Sequence, residues 1–365
     1  MAQESGGSTP TAADIIQFVD RDLDLFEAIN DGTESHLEGS ESLPPVEPLT
    51  KAWDVAYVRF SVPDLDLYER WVEDFGLKIV HRDEDSIYSR GIGGDGFCHV
   101  AHKGPAKFLG FAMMMSKEED LHILSENIAG CTEVHDIPGI EGEISGGKRV
   151  SFIDPVCNLL IEAVHGREIE PLPPSRERIE YNYGDKIHYK RPANKLQDTS
   201  GNREVDGSNT VHPGPPDVLK IGHVVLTIPV GPHHQMMSFM METFGLLPSD
   251  SVYFESPKSA EGHSINPQMF DSLQKAGPSP LYHGTFAEGE ATFACFFRCD
   301  RGEVPTDHHT FFILSLMDQR QAPEGQGINP QLSHASFEVS NLDDVWRGHM
   351  QLKTCLLYTS PSPRD

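Results

Sequence analysis

AYVRFSVPDLDLYERWVEDFGL (residues 56–77) and GHVVLTIPVGPHHQMMSFMMETFGL (residues 222–246) are two versions of one unit. Each opens with a run of β-formers, Val58 to Val62 in the first and Val224 to Ile228 in the second. A proline turn follows, then an amphipathic stretch that ends in Phe-Gly-Leu. That order predicts a strand, a turn, a helix and a glycine stop. A repeat with a period this long marks duplicated structural units, and it decides the fold class. With the two copies aligned, Tyr57 falls opposite His223.

A second pair of stretches continues the repeat. FLGFAMMMSKEEDLHILSE (residues 108–126) pairs with QLSHASFEVSNLDDVWRGH (residues 331–349), and a shift of one residue between them sets Gly110 opposite His334. The carboxy-terminal half therefore carries His223 and His334 where the amino-terminal half carries Tyr57 and Gly110. Both histidines stand near the start of an apolar strand-like run, and alternation along such a strand directs them to one side of the sheet. Either one alone reads more readily as a core histidine bonded to backbone. Two in equivalent places, with the sister copy lacking both, favour a site.

On these residues the chain resembles the vicinal-oxygen-chelate superfamily, which includes glyoxalase, bleomycin-resistance protein and type I extradiol dioxygenase. The resemblance runs over about residues 52–165 and 219–353. It implies an α+β fold: tandem vicinal-oxygen-chelate domains made of paired βαββ modules, the last one incomplete. The two-domain arrangement is most similar to the extradiol ring-cleaving dioxygenases, where a degenerate amino-terminal domain precedes a catalytic one. By that resemblance His223 and His334 are metal ligands, and His309 in DHHTFFIL is the acid–base histidine. The implied cofactor is Fe(II), with Mn(II) as the alternative, and O2 is the co-substrate. Two histidines and a carboxylate leave adjacent positions open for a catecholate and dioxygen, and a nearby imidazole can take up and return a proton. Asp307 beside the pair either orients an imidazole or caps a turn. Two alternatives stay open: a glyoxalase-like isomerase or epimerase on the same fold, and a non-catalytic small-molecule-binding protein of the bleomycin-resistance type.

The third ligand, a glutamate, is expected beyond the end of the chain. Glu162 closes the last strand of the amino-terminal half, FIDPVCNLLIEAVHG, where the family's catalytic copy carries its carboxylate. It lies 52 residues after Gly110 (162 − 110). The same step from His334 reaches about residue 386, past Asp365, if the repeats keep their length. The stretch CLLYTSPSPRD (residues 355–365) reads as the translation of a transposon-type sequencing-library adapter, and is set aside as an artefact.

These readings divide the chain into an acidic tail (1–50), a degenerate domain (51–166), a linker (167–217), a catalytic-type domain (218–354) and the adapter-derived end (355–365). The tail holds eleven Asp and Glu against Arg21 alone. One short helix is expected in it, with Ile15, Ile16, Val19, Leu23 and Phe26 on a stripe; the remainder is too polar to order. The linker is Pro-rich and polar, as suits a segment lying over a surface. The formal charge of −27 opposes nucleic acid and acidic membranes as partners. No apolar run reaches the roughly 20 residues that span a bilayer. Five cysteines before the adapter, without CxxC pairs, read as reduced thiols in the cytoplasm. The expected partner is a small catechol-like aromatic, and homo-oligomerisation is left open. His233 and His234 are placed in a turn, as ordinary exposed histidines. The aromatics of ATFACFFR and HHTFFILSL suit a sheet cupping an apolar ligand.

Overall fold

The computed structural model describes residues 47–137, 146–167, 214–229, 232–254, 291–315 and 331–354. The expected tail helix, most of the linker and the adapter-derived end lie outside the described residues.

The amino-terminal half begins with β1 (Ala52–Val62), whose Val, Tyr and Phe side chains favour a pleated strand. Helix α1 (Leu65–Phe75) follows. The Asp64 carboxylate accepts the Leu67 N–H at 2.9 Å and caps its start. Gly76, at φ 100°, ends it in the left-handed conformation, and its N–H returns to the Glu73 carbonyl. Gly245, at φ 62°, likewise follows the helix Pro232–Phe244 of the other half, so the repeated Phe-Gly-Leu is a helix stop in both halves. Strands β2 (Lys78–Arg82), β3 (Ser86–Arg90) and β4 (His99–Lys103) complete the first module. The second module runs β5 (Lys107–Met115), α2 (Glu118–Asn127), β6 (His135–Asp136), β7 (Lys148–Ile153) and β8 (Leu160–His165). Paired modules are therefore present, each with one strand more after its helix than the βαββ pattern. All eight strands form one sheet, in the order β2-β3-β4-β1-β5-β8-β7-β6.

The carboxy-terminal half repeats this with β9 (Val218–Ile228), α3 (Pro232–Phe244), β10 (Leu246–Phe254), β11 (Ala291–Cys299) and β12 (Phe311–Ser315). Strand β13 (Gln331–Val339) and α4 (Leu342–Thr354) follow. Its sheet order, β10-β11-β12-β9-β13, matches β2-β3-β4-β1-β5 strand for strand. The registers match as well. Tyr57 faces Ala112 and Arg59 faces Gly110 across β1 and β5, while His223 faces Ser336 and Val225 faces His334 across β9 and β13. Beyond β5 the first sheet continues with β8. Among the described residues no strand stands beside the outer edge of β13.

One hydrophobic core joins the halves. Phe111 packs on Phe311 with centroids 5.2 Å apart, Phe75 meets Phe337 at 5.1 Å, and Phe152 lies between Phe239 and Phe244 of α3. Burial of each such ring is worth about 1.5–3 kcal/mol. Helix α3 is correspondingly apolar over most of its surface, with Met236, Met237, Phe239, Met240, Met241 and Phe244 all buried. His233 lies in the first turn of this helix and is 0% exposed. The expectation of an exposed turn histidine is corrected, because α3 starts at Pro232 and is wedged between the halves. Asp54 and Lys220, equivalent positions 166 residues apart, pair with each other at 2.8 Å, and Arg301 joins Asp54 at 3.0 Å. Contact between equivalent residues is the mark of a pseudo-two-fold relation.

Candidate metal centre

Strands β9 and β13 run antiparallel, and a register shift between Leu332 and His334 re-aims the second strand. The result brings the Nε2 atoms of His223 and His334 to 3.3 Å. His309, on the approach to β12, lays its ring against His223 with centroids 4.2 Å apart. Phe296 packs on His309 at 5.0 Å and stacks on Phe312 at 4.1 Å, with the two phenyl planes 10° apart. The structure thus gathers three of the sequence-identified histidines beside one wall of phenylalanine. His308 is exposed and sits against Phe296 and His309.

The surroundings hold these imidazoles neutral. Burial, together with His309 and His334 nearby, pushes His223 down to about 4. His309 is lowered by burial and then by His308 and His334, and His334 by burial. Asp307 acts in the opposite direction on His223 and His309. It is exposed and makes no hydrogen bond to an imidazole among the described residues, so its influence is electrostatic.

A neutral imidazole offers one lone pair, and the two facing Nε2 atoms are the donor type a divalent transition metal takes. A spacing of 3.3 Å fits two nitrogens that each lie about 2.1 Å from a common ion. Ser333 Oγ stands 3.3 Å from His334 Nδ1, a contact that leaves Nε2 unprotonated when Nδ1–H is the donor. That role for Ser333 was hidden in the sequence, where a serine beside a histidine carries no signal. His223 and His334 fit such an ion as part of a donor set. Among the described residues no group of three or more His, Cys, Asp or Glu side chains is arranged to hold one.

The amino-terminal half holds the same framework with different chemistry. Tyr57 replaces His223, Phe97 replaces His309 and Tyr88 replaces Phe296. The ring pairs persist, with Tyr57–Phe97 at 4.8 Å and Tyr88–Phe97 at 5.2 Å. Glu162 is 3% exposed and points into this place from β8. Its Oε2 accepts from Arg59 Nε at 2.9 Å and pairs with Arg59 Nη2 at 2.8 Å. Its Oε1 meets Arg149 Nη1 at 3.0 Å and Ser151 Oγ at 3.3 Å. A guanidinium thus answers the carboxylate here. Gly110 adds a second block, since a Cβ there would stand 1.7 Å from the Leu160 carbonyl oxygen.

No protein-family profile matches the chain, and no curated protein does. Solved structures do. An extradiol ring-cleaving dioxygenase from Brevibacterium fuscum superposes with a TM-score of 0.50 at 15% identity, over 85% of this chain and 63% of that one. The chain has the tandem vicinal-oxygen-chelate fold. It spans under two thirds of the length of that dioxygenase. Two further vicinal-oxygen-chelate structures align with it. An Mn(II)-bound glyoxalase from Novosphingobium aromaticivorans gives a TM-score of 0.48 at 18% identity, covering 84% of this chain and 71% of that one. A 3,4-dihydroxyphenylacetate complex of homoprotocatechuate 2,3-dioxygenase from Brevibacterium fuscum gives 0.49 at 13%, covering 85% and 71%.

Cys295 and Cys299 are buried on β11, and burial raises both thiols, Cys299 to about 12. All five described cysteines are free thiols. No helix among the described residues is long and apolar enough to cross a membrane.

Proposed function

We propose that this chain is the scaffold of a metal-dependent extradiol-type dioxygenase acting on a catechol-like aromatic. His223 and His334 hold the metal and His309 handles the proton. The observation that carries this reading is the convergence of the two Nε2 atoms at 3.3 Å beneath a third, neutral imidazole. Fe(II), or alternatively Mn(II), held by two histidines and one carboxylate supplies adjacent open positions for a chelating diolate and dioxygen. A carboxylate on a strand added beside β13 would, by the internal repeat, lie across from Ser336 as Glu162 lies across from Ala112. The stacked Phe296 and Phe312 offer the ring of the substrate an apolar face. His308 Nδ1 lies 3.2 Å from His309 Nδ1, which leaves His309 Nε2 to accept a hydroxyl proton and return it later. A neutral imidazole is the form that can accept.

Glu162 separates this reading from a glyoxalase-like one. Enzymes of the second kind draw metal-binding carboxylates from more than one module, and here the available carboxylate is bound up with Arg59 and Arg149. The test uses a chain carrying a completed fourth module, loaded anaerobically with Fe(II) and given catechol and oxygen. His309→Ala should lower turnover by about 10²–10⁴ while metal content stays constant, and His308→Ala should be the milder change. Turnover of His309→Ala within a factor of about three of the parent, well short of a proton-transfer effect, would remove His309 from the chemistry.

A further inference from the structure

We propose that the amino-terminal half binds a small monovalent anion, of chloride or formate size, in the place that corresponds to the metal centre of the carboxy-terminal half. Tyr57 stands where His223 stands in the other copy and is 0% exposed, yet among the described residues its hydroxyl has no hydrogen-bond partner. Arg167 lies against the same rings, its guanidinium carbon 5.5 Å from the Tyr57 centroid and 4.4 Å from that of Phe97. Its Nη2 donates to the Phe97 carbonyl, while Nε and Nη1 are buried and have no partner among the described residues. Buried polar groups left in that state are rare, and each calls for an occupant.

The unmatched groups decide the sign of the ligand. Arg167 can only donate, and a tyrosine hydroxyl donates readily. The carboxylate at hand, Glu162, is already taken by Arg59, Arg149 and Ser151. Arg59 presses on the Tyr57 ring from 5.3 Å. Arg59 and Arg149 share Glu162, while Arg167 feels Asp95 only through space and has no ion-pair contact among the described residues, so its positive charge is left unanswered. Water could accept the tyrosine proton but would leave the charge unanswered. The size limit follows from the packing, because Tyr57, Phe97 and Ala112 are at most 1% exposed. A metal is unsuited to a place whose free groups are donors.

The test measures thermal unfolding of the 365-residue chain in sodium chloride, sodium formate and, at equal ionic strength, sodium gluconate as the oversized control. The midpoint should rise by about 2–4 °C and saturate in chloride or formate but not in gluconate. Tyr57→Phe and Arg167→Gln should each weaken the half-saturating concentration by about tenfold, one hydrogen bond to a charged group being lost. Chloride-NMR line broadening should fall with the same variants if the halide is the occupant, and a response to formate alone identifies a carboxylate. Equal midpoints in all three salts would overturn the proposal, as would an unchanged saturating response in Tyr57→Phe. That variant removes only a hydroxyl from a packed ring, so it keeps the test decisive if Arg167→Gln does not fold. A Tyr57→Phe protein that is more stable by the same amount in every salt would mean a dry, empty place.

Discussion

Arg59 and Glu162 lie 103 residues apart in sequence and meet at 2.8 Å with side chains 7% and 4% exposed. A buried pair of this kind adds little net stability, but removing Arg59 leaves Glu162 answered by Arg149 and Ser151 alone. Arg59→Met should therefore cost up to about 3 kcal/mol, the lower end of the range for a broken buried pair, and adding Glu162→Gln to it should restore part of the loss. Denaturant titration of the two variants checks this, and a double variant less stable than Arg59→Met would contradict it. The pair was only half legible in the sequence. Glu162 stood out as the carboxylate of a repeated strand, but nothing local links it to Arg59, because strand order brings them together. His99 shows a second residue-scale effect. It is buried among Phe60, Tyr68 and Phe337, and burial lowers it to about 3. It stays neutral in the fold, whereas in the unfolded chain it takes up a proton below about 6.5. Its contribution is complete above that pH and is lost as pH falls toward about 3, so stability declines with acid across this window. His99→Gln should flatten the dependence of unfolding free energy on pH between about 6 and 4 by about 1.4 kcal/mol per unit. An unaltered slope would show that other groups set the acid limb.

At the scale of elements the repeat was the readable part. The strand–turn–helix order and the Phe-Gly-Leu stop followed from periodicity and glycine chemistry, and the alignment of Gly110 with His334 is reproduced by the strand registers. The third strand after each helix was less legible. β4 and β12 are five residues each and lack clean alternation. The bulges that re-aim His334 left no mark either, since a register shift depends on the partner strand. Two glycines make the difference between the halves testable. At Gly110 a Cβ would meet the Leu160 carbonyl oxygen at 1.7 Å, while at Gly222 the nearest atom is Ser336 O at 3.6 Å, an ordinary contact. Gly110→Ala should destabilise by about 3 kcal/mol, the upper end of the overpacking range, and Gly222→Ala by under about 1. Similar midpoints for the two in urea would show that β5 and β8 part easily.

Over the whole molecule, a pseudo-two-fold arrangement repeats one framework and fills its two sites with different chemistry. The exposed face of α4 fits the same picture: Leu342, Val345 and Trp346 are 81%, 54% and 57% exposed, where the matching helix α2 buries Leu121 and Leu124. The amino-terminal copy fills this place with Arg59, Glu162 and Tyr57, while the carboxy-terminal copy gathers imidazoles from β9, β13 and the approach to β12, with no strand beyond β13 among the described residues. The central claim is that His223 and His334 together hold a metal. Anaerobic equilibrium dialysis of the 365-residue chain against Fe(II) tests it most directly. Saturable binding of one ion per chain is expected, at least about tenfold weaker in His223→Ala and in His334→Ala and unchanged in Tyr57→Phe. Equal binding by the wild type and the His223→Ala/His334→Ala double variant would contradict it.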